Sequence, residues 1–214
     1  MKQLFVAAML LLSAVSVQAE TITFTTGYQV LDPGAIYVEG DYQITFTGDR
    51  AVEFTVKLAS ANCSPACPDN GSFYLANFRM DLITLSRIDG QPFTLTGFAG
   101  AESHQGRPDL WASGIRVTGS SGRSAEFRLD FINDASGPAD DFQLFAVPSS
   151  LRKQFVYRFS AVPGLNPNDS FYSLDNLDVA PAPVPEPCSM LLLASGLGAA
   201  GLHVRRKRRR GSSV

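Results

Sequence analysis

Between Thr21 and Val179 the apolar residues recur at every second position, not at every third or fourth. In 51–58, Val52, Phe54, Val56 and Leu58 alternate with Glu53, Thr55 and Lys57; in 124–131, Ala125, Phe127, Leu129 and Phe131 alternate with Glu126, Arg128 and Asp130. A two-residue period sends successive side chains to opposite faces of an extended strand. Each such segment therefore needs one face on a core and one in water, the arrangement of antiparallel sheets. Further strands are predicted at 21–26, 36–47, 72–86, 93–98, 112–119, 142–147, 154–160 and 171–179. Turn clusters separate them, among them Asp32-Pro33-Gly34, Asp89-Gly90 and Ser120-Ser121-Gly122. A short helix is expected only within 139–153. About ten strands and fifteen Phe point to an all-β, antiparallel two-sheet β-sandwich of jelly-roll type. No short repeat supports a β-helix.

The two ends of the chain follow different rules. Lys2 precedes an apolar run from Leu4 to Val17, broken only by Ser13 and Ser16, and Val17-Gln18-Ala19 offers small residues before Glu20. This is the layout of a secretory signal peptide over 1–19, cut between Ala19 and Glu20 by signal peptidase after export through the Sec machinery. At the other end the proline-rich stretch 180–187 cannot donate a regular backbone ladder at its prolines and is expected to be an extended linker. Cys188 to Val204 is seventeen nearly all apolar residues, about 25 Å as a helix, which is long enough for a thin hydrocarbon core. Arg205 to Arg210 then form an unbroken basic block within the tail 205–214. Positive flanks stay cytoplasmic, so a domain at 20–179 would lie on the far side of the membrane, where a signal peptide also sends it.

Val184-Pro185-Glu186-Pro187, a short apolar helix and a terminal Arg cluster together resemble the PEP-CTERM sorting signal, also called the ice-binding protein C-terminal domain. The resemblance covers about residues 181–210 and does not extend into the central domain. It implies recognition of Pro185, Glu186 and Pro187 by the membrane enzyme exosortase, which cleaves near that motif. It also implies transient anchoring in the inner membrane of a Gram-negative bacterium, then delivery to the outer surface or an exopolysaccharide-containing matrix. The alternative is a simple membrane anchor on a proline-rich stalk.

Charge narrows the partners of the central domain. Lys2 and the six basic residues of 205–210 leave eleven Lys and Arg in 20–184, against nineteen Asp and Glu, a net charge of about −8. Such a surface argues against a phosphate-facing nucleic-acid site. Cys63 and Cys67, flanking Ser64-Pro65-Ala66, read as a small disulfide in an exported protein. Free thiols are the alternative; a zinc half-site lacks a second Cys or His pair to complete four ligands. Cys188 belongs to the tail.

Catalytic residues are scarce. His203 lies in the tail, leaving His104 as the only imidazole of the domain, in a sequence without a Gly-x-Ser-x-Gly elbow. No two carboxylates stand out as a glycosidase pair, and Asp140, Asp141 and Asp169 read as solvated turns. Trp111 is in phase with Ile115 and Val117, which favours core packing over sugar stacking; Tyr28, Tyr37 and Tyr42 are looser stacking candidates. Ice binding would want a flat, regular Thr array; Thr21, Thr23 and Thr25, and Thr45 and Thr47, form short alternating runs that read as ordinary exposed strand faces. The ending 171–179 resembles the last strand of carbohydrate-binding-module-like jelly rolls. There Asp175 shares the phase of Leu177 and Val179, so it is expected to point inward onto backbone donors or onto a structural Ca²⁺ held through oxygens. These features favour a non-enzymatic surface or matrix protein, adhesive or carbohydrate-binding. A polysaccharide hydrolase and a purely structural biofilm component are the alternatives.

Overall fold

In the computed structural model, the described residues are 19–25, 29–48, 54–57, 68, 72–77, 82–103, 108–130, 142–166 and 170–182. They belong to one compact unit, Gln18–Ala182. Thirteen strands are described: β1 (Glu20–Ile22), β2 (Gln29–Leu31), β3 (Ile36–Glu39), β4 (Tyr42–Thr47), β5 (Phe54–Lys57), β6 (Tyr74–Asn77), β7 (Leu82–Arg87), β8 (Phe93–Glu102), β9 (Gly114–Gly119), β10 (Ser124–Arg128), β11 (Gln143–Ala146), β12 (Val156–Val162) and β13 (Tyr172–Pro181). Among the described residues the only helical turns are of the 3₁₀ kind, Pro108–Leu110 and Ser149–Leu151. The latter is all that the described residues show of the helix expected within 139–153. No helix among them is long and apolar enough to cross a membrane.

The strands form two antiparallel sheets, as the alternation requires. One runs β11-β8-β13-β6-β5-β2, with β1 also paired to β13; the other runs β10-β9-β12-β7-β4-β3. Tyr37, Ile44, Leu85, Tyr157, Val117 and Phe159 fill one face of the second sheet and meet Leu75, Leu95, Phe98, Leu174, Leu177 and Val179 of the first in a single apolar core. Phe98 is the aromatic centre of this core, with Phe127, Phe145 and Phe159 rings at 5.0, 5.3 and 5.7 Å, in the tilted and edge-on geometries aromatic pairs prefer.

The three expected turns are present. Ala35 N donates to Asp32 O, Gly90 N to Arg87 O and Gly122 N to Gly119 O, with Gly34, Gly90 and Gly122 at positive φ, where a side chain would be strained. Boundaries differ from expectation where a turn hides inside an alternating run. The segment 36–47 is a hairpin broken at Gly40 (φ 56°), and 72–86 supplies β6 to one sheet and β7 to the other. Strand β2, with its three residues, is too short to show a period. Ala180 and Pro181, expected in the linker, close β13 opposite Thr94 and Phe93, because proline is tolerated where a strand ends.

Two buried tyrosines make opposite use of their hydroxyls. Tyr157 Oη accepts from Leu95 N at 3.0 Å and donates to Leu151 O at 2.6 Å. Tyr42 Oη has no hydrogen-bond partner among the described residues, and burial pushes its pKa up to about 12. Tyr157→Phe should cost about 1–3 kcal/mol in urea unfolding, because it orphans a buried N–H and a buried carbonyl, whereas Tyr42→Phe should be neutral or stabilising. Since Tyr42 titrates above its ordinary value of 10.0 when folded, the unfolded chain deprotonates first. Stability is then intact below pH 10 and declines as pH climbs toward 12. Tyr42→Phe should flatten that decline.

Candidate functional site

Asp175 is fully buried, but not in line with Leu177 and Val179 as the simple alternation suggests. Asn176 takes a positive φ of 46°, and the pairing of β13 with β8 slips between Asp175 and Asp178. This bulge resets the phase. Asp175 is therefore opposite Ala99, in line with Ser173, while Leu174 and Leu177 both enter the main core. Ser173 itself is opposite Ala76 and Ala101. Ala76, Ala99 and Ala101 join Tyr74 and Phe142 in a second, smaller apolar cluster.

A hydroxyl and a backbone amide are among the partners of Asp175. Ser72 Oγ donates to Oδ2 at 2.7 Å and Asn176 N to Oδ1 at 2.8 Å. Ser103 and Ser173 hydroxyls bond each other at 2.7 Å on the same face. In the row on the opposite face, Asn77 and Glu102 flank Tyr172, all three buried. Ca²⁺ takes six to eight oxygen ligands, and among the described residues no group of three or more Asp, Glu, His or Cys is gathered to hold a metal. The described surroundings of Asp175 thus meet the buried carboxylate with hydrogen bonds.

The outer face of the β10-β9-β12-β7-β4-β3 sheet is different, being polar and open. Register aligns Ser124, Thr118, Arg158, Thr84, Thr45 and Ile36 in one row across all six strands. At about 4.8 Å per strand the row is about 24 Å wide. Arg158, Ser124 and Ile36 are exposed and the threonines half-buried. In the next row Arg116 donates to Glu126 Oε1 from Nε at 2.9 Å and Nη2 at 2.6 Å. Alongside, Gln43 Nε2 donates to Ser86 Oγ at 3.2 Å. The Arg116–Glu126 pair is exposed, so it adds roughly 0–1 kcal/mol and orients the side chains more than it stabilises the fold.

A cleft of about 360 Å³ opens at the β10 edge, lined by Ser113, Gly114, Glu126, Arg128 and Val162 among others. Backbone closeness shapes it: a Cβ on Gly114 would meet Phe127 O, and one on Gly164 would overlap Trp111 O. Hydroxyls, guanidinium groups and one carboxylate can exchange hydrogen bonds with a hydroxyl-rich ligand here.

Of the residues singled out from the sequence, Trp111 is buried at 3 % exposure, and Tyr37 and Tyr42 are core residues, so these three do not present rings to a ligand. Thr45 and Thr47 sit on the outer face of β4, and Thr21 Oγ1 donates to Asp178 Oδ1 at 2.7 Å. Ala19 and Glu20 are exposed at the start of β1. Cys63, Cys67, His104, Tyr28, Asp140, Asp141, Asp169, Pro185, Glu186, Pro187 and the segments 1–18 and 183–214 lie outside the described residues. The row through Thr118, Arg158 and Thr84 leaves no mark in the sequence beyond each being the polar half of a two-residue period; only register brings them together.

Comparison with known proteins gives no family for the chain. No protein-family model matches it, and no curated protein does. Among solved structures, a DUF4465 family protein from Bacteroides ovatus aligns over 77 % of this chain and 99 % of its own, at 8 % identity and a TM-score of 0.47. A CBM32 module from a family 31 glycoside hydrolase of Clostridium perfringens aligns over 72 % of this chain and 95 % of its own, at 11 % identity and a TM-score of 0.33. Neither likeness assigns a ligand to this chain.

The hydrogen bonds of Asp175 generate a prediction. Asp175→Ala should lower stability by about 1–3 kcal/mol through loss of its buried acceptor, measured by thermal and urea unfolding. Adding Ca²⁺ or a chelator should leave the wild-type melting temperature unchanged if hydrogen bonds alone hold Asp175; a calcium-dependent rise would assign it a metal.

Proposed function

We propose that this chain is an exported surface or matrix protein, sorted through its C-terminal tail, whose β-sandwich acts by binding and not by catalysis. The observation that carries the proposal is the match of two boundaries. The folded unit runs from Gln18 to Ala182, the first strand begins at Glu20, and the chain leaves the domain just before Val184-Pro185-Glu186-Pro187, the apolar run 188–204 and the basic block 205–210. Cutting at either expected point would remove no described strand.

The open polar face supports a hydroxyl-rich partner such as exopolysaccharide. Its threonine, serine and arginine row can exchange hydrogen bonds with sugar hydroxyls. A hydrolase is the weaker reading. Glycosidic cleavage generally uses two carboxylates flanking the bond, whereas among the described residues the cleft is lined by one, Glu126, already held by Arg116.

Replacing Pro185, Glu186 and Pro187 together with alanine tests the sorting. Export and insertion should be normal, and the protein should accumulate uncut in the inner-membrane fraction. Normal surface delivery of a normal-sized product would replace sorting by another route.

A further inference from the structure

The outer face of the β10-β9-β12-β7-β4-β3 sheet carries its charge at one side. The alternation that buries Ile115, Val117, Tyr157 and Phe159 turns Arg116, Arg128 and Arg158 outward. Register then fixes where they stand. Arg128 is opposite Gly114, Glu126 opposite Arg116, and Arg158 opposite Thr118. The three arginines therefore occupy successive rows on three adjacent strands, β10, β9 and β12, and form one diagonal. Diagonal neighbours on a sheet are about 7–8 Å apart, so the line is about 15 Å long. At its Arg128 end the face is notched. Gly114 puts no side chain between its cross-strand neighbours Arg128 and Val162, and a Cβ there would meet Phe127 O, so the backbone itself keeps the gap. The cleft of about 360 Å³ opens at this point.

Carboxylates are fewer here. Among the described residues, Glu126 is the one acid that the strands of this sheet turn outward, and Arg116 already holds it at 2.6 Å. Asp130, exposed two residues beyond Arg128, has an interaction of its own. Asp41 and Asp89 gather around Arg87, which is on the phase of Ile83 and Leu85 at the turn end of the sheet. Among the described residues no carboxylate pairs with Arg128 or Arg158. The polar side chains that complete the face on β12, β7 and β4 are uncharged: Ser160, Thr84, Ser86, Gln43, Thr45 and Thr47. Counting Asp130, three guanidinium groups face two carboxylates, and the two arginines without an acid are Arg128 and Arg158. On a domain of net charge about −8, a face of positive sign is a local exception.

We infer that this face selects a carboxylated polysaccharide, with Arg128 and Arg158 as the contacts that read its charge. The inference rests on the proposed reading of the face as a carbohydrate surface and adds the sign of the ligand. A guanidinium group presents a planar fork of N–H donors that matches a carboxylate. A uronic-acid chain carries carboxylates at regular intervals between its hydroxyls. Laid along the diagonal, it can meet Arg128 and Arg158 with carboxylates while Ser124, Thr118 and Thr84 exchange hydrogen bonds with hydroxyls. A neutral polysaccharide leaves both arginines to water and gains nothing from their charge. The acidic remainder of the domain repels the same polymer, which directs its approach to this face.

The test uses the full chain in neutral detergent, with residues 205–210 all replaced by glutamine so that the basic block does not hold the polymer. Affinity electrophoresis compares polygalacturonate with the same polymer after its carboxylates are reduced to alcohols. Polygalacturonate should bind about tenfold more tightly. Arg128→Gln with Arg158→Gln should abolish that preference, whereas Arg123→Gln with Arg152→Gln, exposed cations outside the diagonal, should keep it. Equal binding of both polymers overturns the inference and leaves the carbohydrate surface intact. Binding of neither sinks that surface and the inference with it. A preference that survives the first pair of substitutions, or falls equally with the second, overturns the assignment to the diagonal. Should the double variant fail to fold, Arg158→Gln alone serves, with an expected loss of about threefold.

Discussion

Strand β13 is the element on which the rest of the domain depends. It pairs with β8 along nearly its whole length on one side, and on the other with β6 and then β1. The last strand of the domain thus joins its first strand to the middle of one sheet, and Leu174, Leu177 and Val179 enter the shared core from it. Pairings between residues so distant in sequence require long loops to close before any contact rewards them. One geometric consequence is that chain entry and exit lie side by side, which fits a domain flanked by two removable segments.

The bulge at Asn176 lets β13 serve two purposes. Before it, Ser173 and Asp175 point to the small Ala-lined cluster and Leu174 to the main core; after it, Leu177 and Val179 return to the main core. Without the extra residue, strict alternation would place either Asp175 or Leu177 on the wrong face. The buried carboxylate stays affordable because a hydroxyl and an amide meet it.

Much of the sandwich was legible in the sequence because burial on one face imposes a two-residue period. The alternation of Ala125, Phe127 and Leu129 against Glu126 and Arg128 and the three glycine turns reappear as read. What could not be read depends on register or on local backbone. Asp175 does not share the phase of Leu177 that strict alternation gives it, and nothing in the letters marks Asn176 as left-handed. The hairpin inside 36–47 was hidden because Glu39 and Tyr42 continue the alternation across Gly40. The polar row through Thr118, Arg158 and Thr84 draws on three strands far apart in the chain, so no local pattern could reveal it. The C-terminal stretch is the reverse case: the sorting role proposed for it is legible only as an ordered motif of Pro185-Glu186-Pro187, apolar run and basic block.

The central claim is that the folded unit is what remains of the chain at its destination. The most direct measurement is the intact mass of the native protein recovered from the producing cell's surface or medium. The account predicts a product beginning at Glu20 and ending between Ala182 and Cys188, lacking Arg205 to Arg210. A product that retains the basic block, or that begins at Met1, would contradict it.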